Sequence, residues 1–313
     1  MTVQTRIADL VANPGVLSNV TVQRFRTENS LIASGVAVTG PEVDLLMTGG
    51  SPLQGLNHVN KVDTSTFNLS SDDFDEKGAT GKITASPYQA LRFDANWGWA
   101  YTDLVRMITK YDVKGGLTSA IPMFWSEVGE NIAIASIKGA LATTEELTSG
   151  EATDAFDPDA FIDAAATMDD PRAQKTLFVS KRTYAKLQKL QRSDFVVPSA
   201  ANLNIGRFEG YNIILTEAFG DNQSVIATEG AIAFGAGLVP GTIGMEIARD
   251  ANAGNGGGGE ILRTRMSMVA APQGFSFSNA NLKPTLAQLA TAAFWTKNAG
   301  LPEIGFRAVN HAA

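Results

Sequence analysis

Between Ser119 and Thr143 the apolar positions Ile121, Phe124, Trp125, Val128, Ile132, Ala135 and Gly139 recur at spacings of three and four, with Glu127, Glu130 and Asn131 between them. That is the stripe of an amphipathic helix, and it predicts that Phe124, Trp125, Val128 and Ile132 form the core face. Ser119 reads as the N-cap. Pro122 then falls in the first turn, where a missing N–H has no intrahelical partner to lose. A helix of this length spans about 37 Å, more than the depth of a small domain, so it is expected to act as a strut.

The pattern before this helix is different. The first forty residues carry one short apolar patch, Ile7, Leu10 and Val11, then a Pro14-Gly15 turn, and read as an extended arm with a brief helix. Residues 49–96 are polar and punctuated by glycine. Strand-like stretches at Val59–Leu69 and Gly81–Ala95 flank the acidic tip SSDDFDEKGATG, which predicts a long two-stranded loop. Its large apolar residues between Lys61 and Tyr88 are Val62, Phe67, Leu69, Phe74 and Ile83. So few side chains cannot offset roughly 1–2 kcal/mol of backbone entropy per ordered residue, and an isolated hairpin is marginal in water. Residues 60–87 are therefore expected to become ordered only across a neighbouring copy. Asp72, Asp73, Asp75 and Glu76 at the tip would meet basic side chains there, with Arg263 and Arg265 as candidates.

From Asp157 onward the chain reads as α/β: a helix in DPDAFIDAAATM, a strand TLFV, a helix SKRTYAKLQKLQ, and strands in YNIILTE, SVIATEG and AIAFGAG. Asp157 and Ser180 are placed to cap the two helices. Two further strands, IGMEIARD and EILRTRMSMVAA, are joined by the loop ANAGNGGGG, and the tail holds a short helix and a last strand-like piece. No repeat of twenty to fifty residues is present.

Composition narrows the chemistry. A chain of 313 residues that is 44% hydrophobic can build a sizeable core without staples. It contains no apolar run long enough to span a bilayer, and its N-terminus lacks the pattern of a signal peptide. Zero cysteines exclude disulfides, thiolate nucleophiles and cysteine-bound zinc. A net charge of -7 argues against a protein whose affinity comes from neutralising phosphates. The two histidines are His58 and His311; the second stands near the end of the chain, where ends usually fray, so histidine-centred catalysis is not expected.

The remaining motifs fail on context. Gly254–Gly259 matches a dinucleotide fingerprint in form, but it leads into a strand and not a helix, and reads as a hairpin loop. The sequence GATGK at 78–82 lacks the first glycine and the Ser or Thr of a phosphate loop. The acidic cluster Asp154, Asp157, Asp159, Asp163, Asp169 and Asp170 offers a capped helix start in place of a calcium loop. Trp97 and Trp99 have no interleaved basic residues and are expected to pack where the loop meets the long helix. The basic face Lys181, Arg182, Lys186, Lys189 and Arg192 reads as solvated, with an acidic neighbouring subunit as the second reading. No cofactor or metal is expected.

In order and spacing these parts resemble the major capsid (coat) protein of tailed bacteriophages, with its Hong Kong 97-type fold. ENSLIASGVAV resembles that family's arm, NWGW its asparagine-tryptophan signature, and IPMFWSEVGENIAIASIKGAL its spine helix. LFVSKRTYAKLQ, FEGYNIILTE, AIAFGAG, MEIARDANAG, EILRTRMSMVAAPQGFSF and PTLAQLATAAFWTKN follow in the family's order. The resemblance implies an α+β fold with an N-terminal arm at 1–43, an extended loop at 44–96, and a spine helix and peripheral domain at 97–150. An axial α/β domain would occupy 151–242, returning strands 243–290 and a C-terminal segment 291–313. It implies a homo-oligomer of hexameric and pentameric capsomers, without enzymatic activity. The icosahedral head, assembled in the host bacterial cytoplasm, would enclose double-stranded DNA without reading its sequence. Portal and a separate scaffolding protein would be partners, with a decoration protein as a further candidate and no membrane; because arm-like sequence begins close to residue 1, no scaffolding pro-segment is expected. The alternatives are an encapsulin-type shell around an enzyme cargo and, from another class, a nucleotide-dependent α/β enzyme.

Overall fold

The computed structural model describes residues 34–39, 46–59, 65–73, 75–109, 113–168, 175–190, 207–208 and 210–312, with Leu31, Val43 and Val62. The expected arm helix near residue 7, and Phe74, Asp169, Asp170 and Arg192, lie outside the described residues. In chain order the strands are β1 (Ala37–Val38), β2 (Leu53–Val59), β3 (Ala85–Thr102), β4 (Thr148–Ser149), β5 (Lys175–Val179), β6 (Arg207–Phe208) and β7 (Tyr211–Leu215). They continue with β8 (Gln223–Thr228), β9 (Ile232–Gly237), β10 (Met245–Asp250), β11 (Gly259–Pro272), β12 (Phe275–Phe277), β13 (Trp295–Lys297) and β14 (Phe306–Asn310). Among the described residues helices α1 (Asp103–Thr109), α2 (Val113–Leu141), α3 (Asp159–Ala166), α4 (Lys181–Leu190) and α5 (Leu286–Leu289) are formed, besides a distorted helical turn at Ala253–Gly256.

The strands form two large sheets and a small pair. The first sheet runs β1-β9-β11-β3-β2, with β10 beside the N-terminal half of β11; the second runs β4-β14-β8-β5-β7-β6; β12 pairs with β13. Every pairing in the first sheet is antiparallel except that of β1 with β9. Side chains alternate across a strand, and β11 uses both faces. Met268 and Ala270 join the cluster that includes Trp125, Ile132 and Phe234, while Val269 and Ala271 pack with Val43, Leu46, Tyr88 and Ala90. In the second sheet Phe178, Val225 and Ala308 face that same central cluster. Leu177, Val179, Ile226 and Val309 face the opposite way, under Phe161 of α3 and Leu187 of α4.

Helix α2 joins the two halves, because a single apolar cluster runs from Met268 and Phe234 of the first sheet, along α2, to Phe178 and Phe306 of the second. Its 29 residues correspond to about 43 Å. It starts at Val113, six residues before the expected cap at Ser119, so Pro122 lies inside the helix. The proline ring leaves the carbonyl four residues earlier without its intrahelical donor.

Two further expectations need correction. The expected strand at Val59–Leu69 ends where it was to begin: the ladder joins Leu53–Val59 to Ala85–Leu91, and described residues 65–73 and 75–84 carry no strand. The large apolar residues here, Phe67, Leu69 and Ile83, are exposed and bury nothing against a partner strand. The tail is not frayed either. Strand β14 sits between β8 and β4 in the second sheet, so the last residues belong to the unit that begins near 151. Strand β9, by contrast, belongs to the first sheet.

The expected caps are in place. Asp157 Oδ1 accepts the Asp159 N–H at 3.0 Å and Ser180 Oγ accepts the Thr183 N–H at 3.2 Å. The glycine-rich run connects β10 to β11 as a hairpin turn, with Gly254, Asn255, Gly256 and Gly258 at positive φ, a conformation that glycine adopts without strain.

Candidate assembly surfaces

The core face of α2 is built around Trp125, which is 5% exposed. Its indole N–H donates to Thr264 Oγ1 on β11 at 3.2 Å. Phe124 packs edge-on against Trp125 and Trp99, with ring centroids at 5.1 and 5.2 Å, and lies 6.3 Å from Trp97. Ile132 is buried and Val128 partly so, both in the central cluster. Two helix positions are glycine because neighbours come too close for a Cβ: the Phe234 ring at Gly129, and the Leu289 carbonyl with the Trp295 indole at Gly139. Trp295 donates to that same Leu289 carbonyl at 2.8 Å, so the segment carrying α5 is clamped onto the helix.

The loop beyond the β2–β3 ladder is the opposite case. Phe67, Leu69 and Ile83 are 80%, 82% and 74% exposed, although each would gain roughly 1.5–3 kcal/mol from burial. Asn68 bridges the two legs, since its Nδ2 donates to the Ala79 carbonyl at 2.6 Å while its Oδ1 accepts the Ala79 N–H at 3.2 Å. Asn68 thereby imitates one step of a strand ladder. At the tip Ser71 Oγ accepts the Asp73 N–H, and Asp73 Oδ1 accepts the Asp75 N–H. Asp72, Asp73, Asp75 and Glu76 are all exposed.

Arg263 and Arg265 lie two residues apart on β11, hence on one face of the sheet, the face away from α2. Arg265 is engaged within its own chain, donating to Glu246 Oε2 and to the Ile243 carbonyl, both at 3.0 Å. Arg263 is exposed over Gly98 and has no ion-pair partner among the described residues. Within one chain, no hydrogen bond or ion pair among the described residues joins either arginine to the acidic tip. At the end of the same sheet, Arg249 holds Asp103 of α1 at 2.7 Å, and this guanidinium keeps the Asp103 carboxyl below its ordinary pKa. The clamp leaves Leu104, Met107 and Ile108 of α1 exposed.

Sequence reasoning missed two buried polar groups in β14 and just after it. Arg307 is 1% exposed and has no carboxylate partner among the described residues; it donates to Thr167 Oγ1 and to the carbonyls of Thr167, Leu301, Ile304 and Phe306. An arginine inside the apolar tail run was the available signal. His311 is 2% exposed, with ring neighbours Phe156 and Phe161 at 5.2 and 6.4 Å. Its Nδ1–H donates to the Ala312 carbonyl at 3.1 Å, which leaves Nε2 to accept the Ser224 hydroxyl at 2.9 Å. Burial pushes the imidazole below its ordinary pKa, the Ala312 carbonyl opposes that, and Lys186 adds to it. Both groups are satisfied core residues.

Across known proteins, no family model matches this sequence and no curated protein matches it. Solved structures do. A chain of Mycobacterium phage Patience superposes with a TM-score of 0.59 at 10% identity, covering 100% of this chain and 94% of the other. The capsid of Ralstonia phage GP4 gives 0.56 at 8%, covering 90% and 88%. The SrpI encapsulin from Synechococcus elongatus PCC 7942, solved as its holo complex, gives 0.54 at 11%, covering 92% and 89%. These likenesses run the length of both partners and establish the fold. The chain has the mixed α+β, Hong Kong 97-type fold of capsid subunits.

Proposed function

We propose that this chain is the major capsid protein of a tailed bacteriophage, a structural subunit and not an enzyme, whose copies form the hexamers and pentamers of an icosahedral head around double-stranded DNA. The observation that carries this reading is the projecting loop. Phe67, Leu69 and Ile83 stand bare on a segment that its own subunit does not cover, in a chain whose fold is that of capsid subunits. Those side chains gain their burial on a neighbouring copy. The acidic tip of Asp72, Asp73, Asp75 and Glu76 sets the register there against Arg263, with Arg265 contributing through its remaining surface. Exposed ion pairs add only about 0.2–1 kcal/mol each, so the apolar contacts supply most of the stability.

In this reading the arm (1–43), extended loop (44–96) and spine helix with the peripheral domain (97–150) lie toward the capsomer's rim, and the axial domain, which begins near 151 and is built on the second sheet with β14, lies toward its symmetry axis. The shell assembles in the host bacterial cytoplasm and becomes the virion capsid, with portal, a separate scaffolding protein and a decoration protein as candidate partners. The likeness to an encapsulin supports a second reading, a nanocompartment shell. Electron microscopy of particles from the expressed chain, with analysis of their contents, tests both. DNA-filled heads in infected cells fit the first, protein cargo fits the second, and a chain that remains monomeric contradicts each.

A further inference from the structure

The second sheet carries two helices on one face, and their exposed charges are of opposite sign. Helix α3 packs over β14 and β8, whereas α4 packs over β5. In the order β4-β14-β8-β5-β7-β6 they therefore lie side by side over neighbouring strands of the same face. On α3 the exposed residues include Asp159 and Asp163; on α4 they include Lys181, Arg182 and Lys189. None of these five side chains has an ion-pair partner among the described residues. Lys186 is different: its Nζ donates to the Ala312 carbonyl at 2.7 Å, so it is spent within the subunit. Each side also bears one half-exposed aliphatic residue, Ile162 at 43% on α3 and Leu215 at 47% on β7, beside α4.

No ion pair among the described residues joins these charges within one subunit, but they can pair between copies arranged head to tail. Resting on the shell reading above, we infer that α3 of one copy docks beside α4 of the next, with Asp159 and Asp163 facing Lys181, Arg182 and Lys189, and with Ile162 and Leu215 shielded between them. A contact that uses two different patches is heterologous, and it closes into a ring when the rotation between copies allows. The charges orient the encounter and penalise wrong pairings more than they add affinity. Formation of the ring is accordingly sensitive to salt, since exposed charges are screened within about 10 Å at 0.1 M ionic strength.

The test uses full-length chains in low salt. The variant K181E/R182E/K189E turns the basic flank acidic and sets like charges against each other, so particle yield by sedimentation and electron microscopy should fall by about tenfold or more. Circular dichroism and the denaturation midpoint of unassembled subunits verify that the variant folds. Adding D159K/D163K to the same chain exchanges the two flanks and should restore the particles, which no loss of internal packing would allow. Asp157 is left alone because it caps α3. Wild-type particle yield from the triple variant would overturn this interface while leaving the shell reading intact. Failure of the folded five-fold variant to recover particles would also overturn the interface, and absence of particles from the wild-type chain would overturn both.

Discussion

Individual side chains make the sharpest predictions. Trp125→Ala removes a buried aromatic together with its hydrogen bond to Thr264, so denaturant titration of unassembled subunits should lose about 3–5 kcal/mol; an unchanged midpoint would mean that Trp125 is not core. Gly139→Ala should also destabilise, although alanine is the better helix former by about 1 kcal/mol, because its Cβ would collide with the Leu289 carbonyl and the Trp295 indole. His311 predicts a pH dependence. Its folded pKa lies below the ordinary 6.5, so the unfolded chain takes up a proton first as pH falls. The stability linked to this group is complete above about 6.5 and is lost as pH drops through the lowered folded value. Unfolding midpoints should fall over that range in the wild type and less in His311→Gln; identical pH profiles would contradict the assignment. The sequence made Trp125 legible, because it recurs in a helical stripe. It did not make His311 legible: its polar character and late position suggested an exposed end, and only the long-range pairing of β14 with β8 buries it.

At the level of elements, local patterns were read well where periodicity was strong and poorly where tertiary contacts decided. The caps at Asp157 and Ser180, the β10–β11 hairpin and α4 each follow from local signals. The start of α2 does not, since Ser119 followed by Pro122 reads as a cap and first turn, yet the helix begins at Val113 and holds Gly115, Gly116 and Pro122 within it. Pro122→Ala should therefore stabilise the free subunit by about 2 kcal/mol, the helix penalty of proline less its effect on the unfolded chain, measured as a raised denaturation midpoint. The loop divides in two. The ladder between Leu53–Val59 and Ala85–Leu91 should protect its amides in free and assembled protein alike, whereas residues 65–73 and 75–84 should gain protection only on assembly. Hydrogen exchange separates these outcomes, and strong protection of the distal loop in free subunits would contradict docking on a neighbour.

The whole molecule combines a strut shared by two sheets with surfaces that its own fold leaves unsatisfied. The order of parts was legible in the sequence, which is why the resemblance to phage coat proteins extends across most of the chain; the sharing of β9 and β14 between distant segments was not, since strand partners far apart in sequence leave no local signature. The distal loop, with its bare Phe67, Leu69 and Ile83, and the oppositely charged flanks of α3 and α4 both call for further copies. The most direct test of that claim is electron microscopy of particles formed by the purified full-length chain. Closed icosahedral particles, with density for residues 65–84 lying across an adjacent subunit, are the predicted result; monomers or small open oligomers would contradict it.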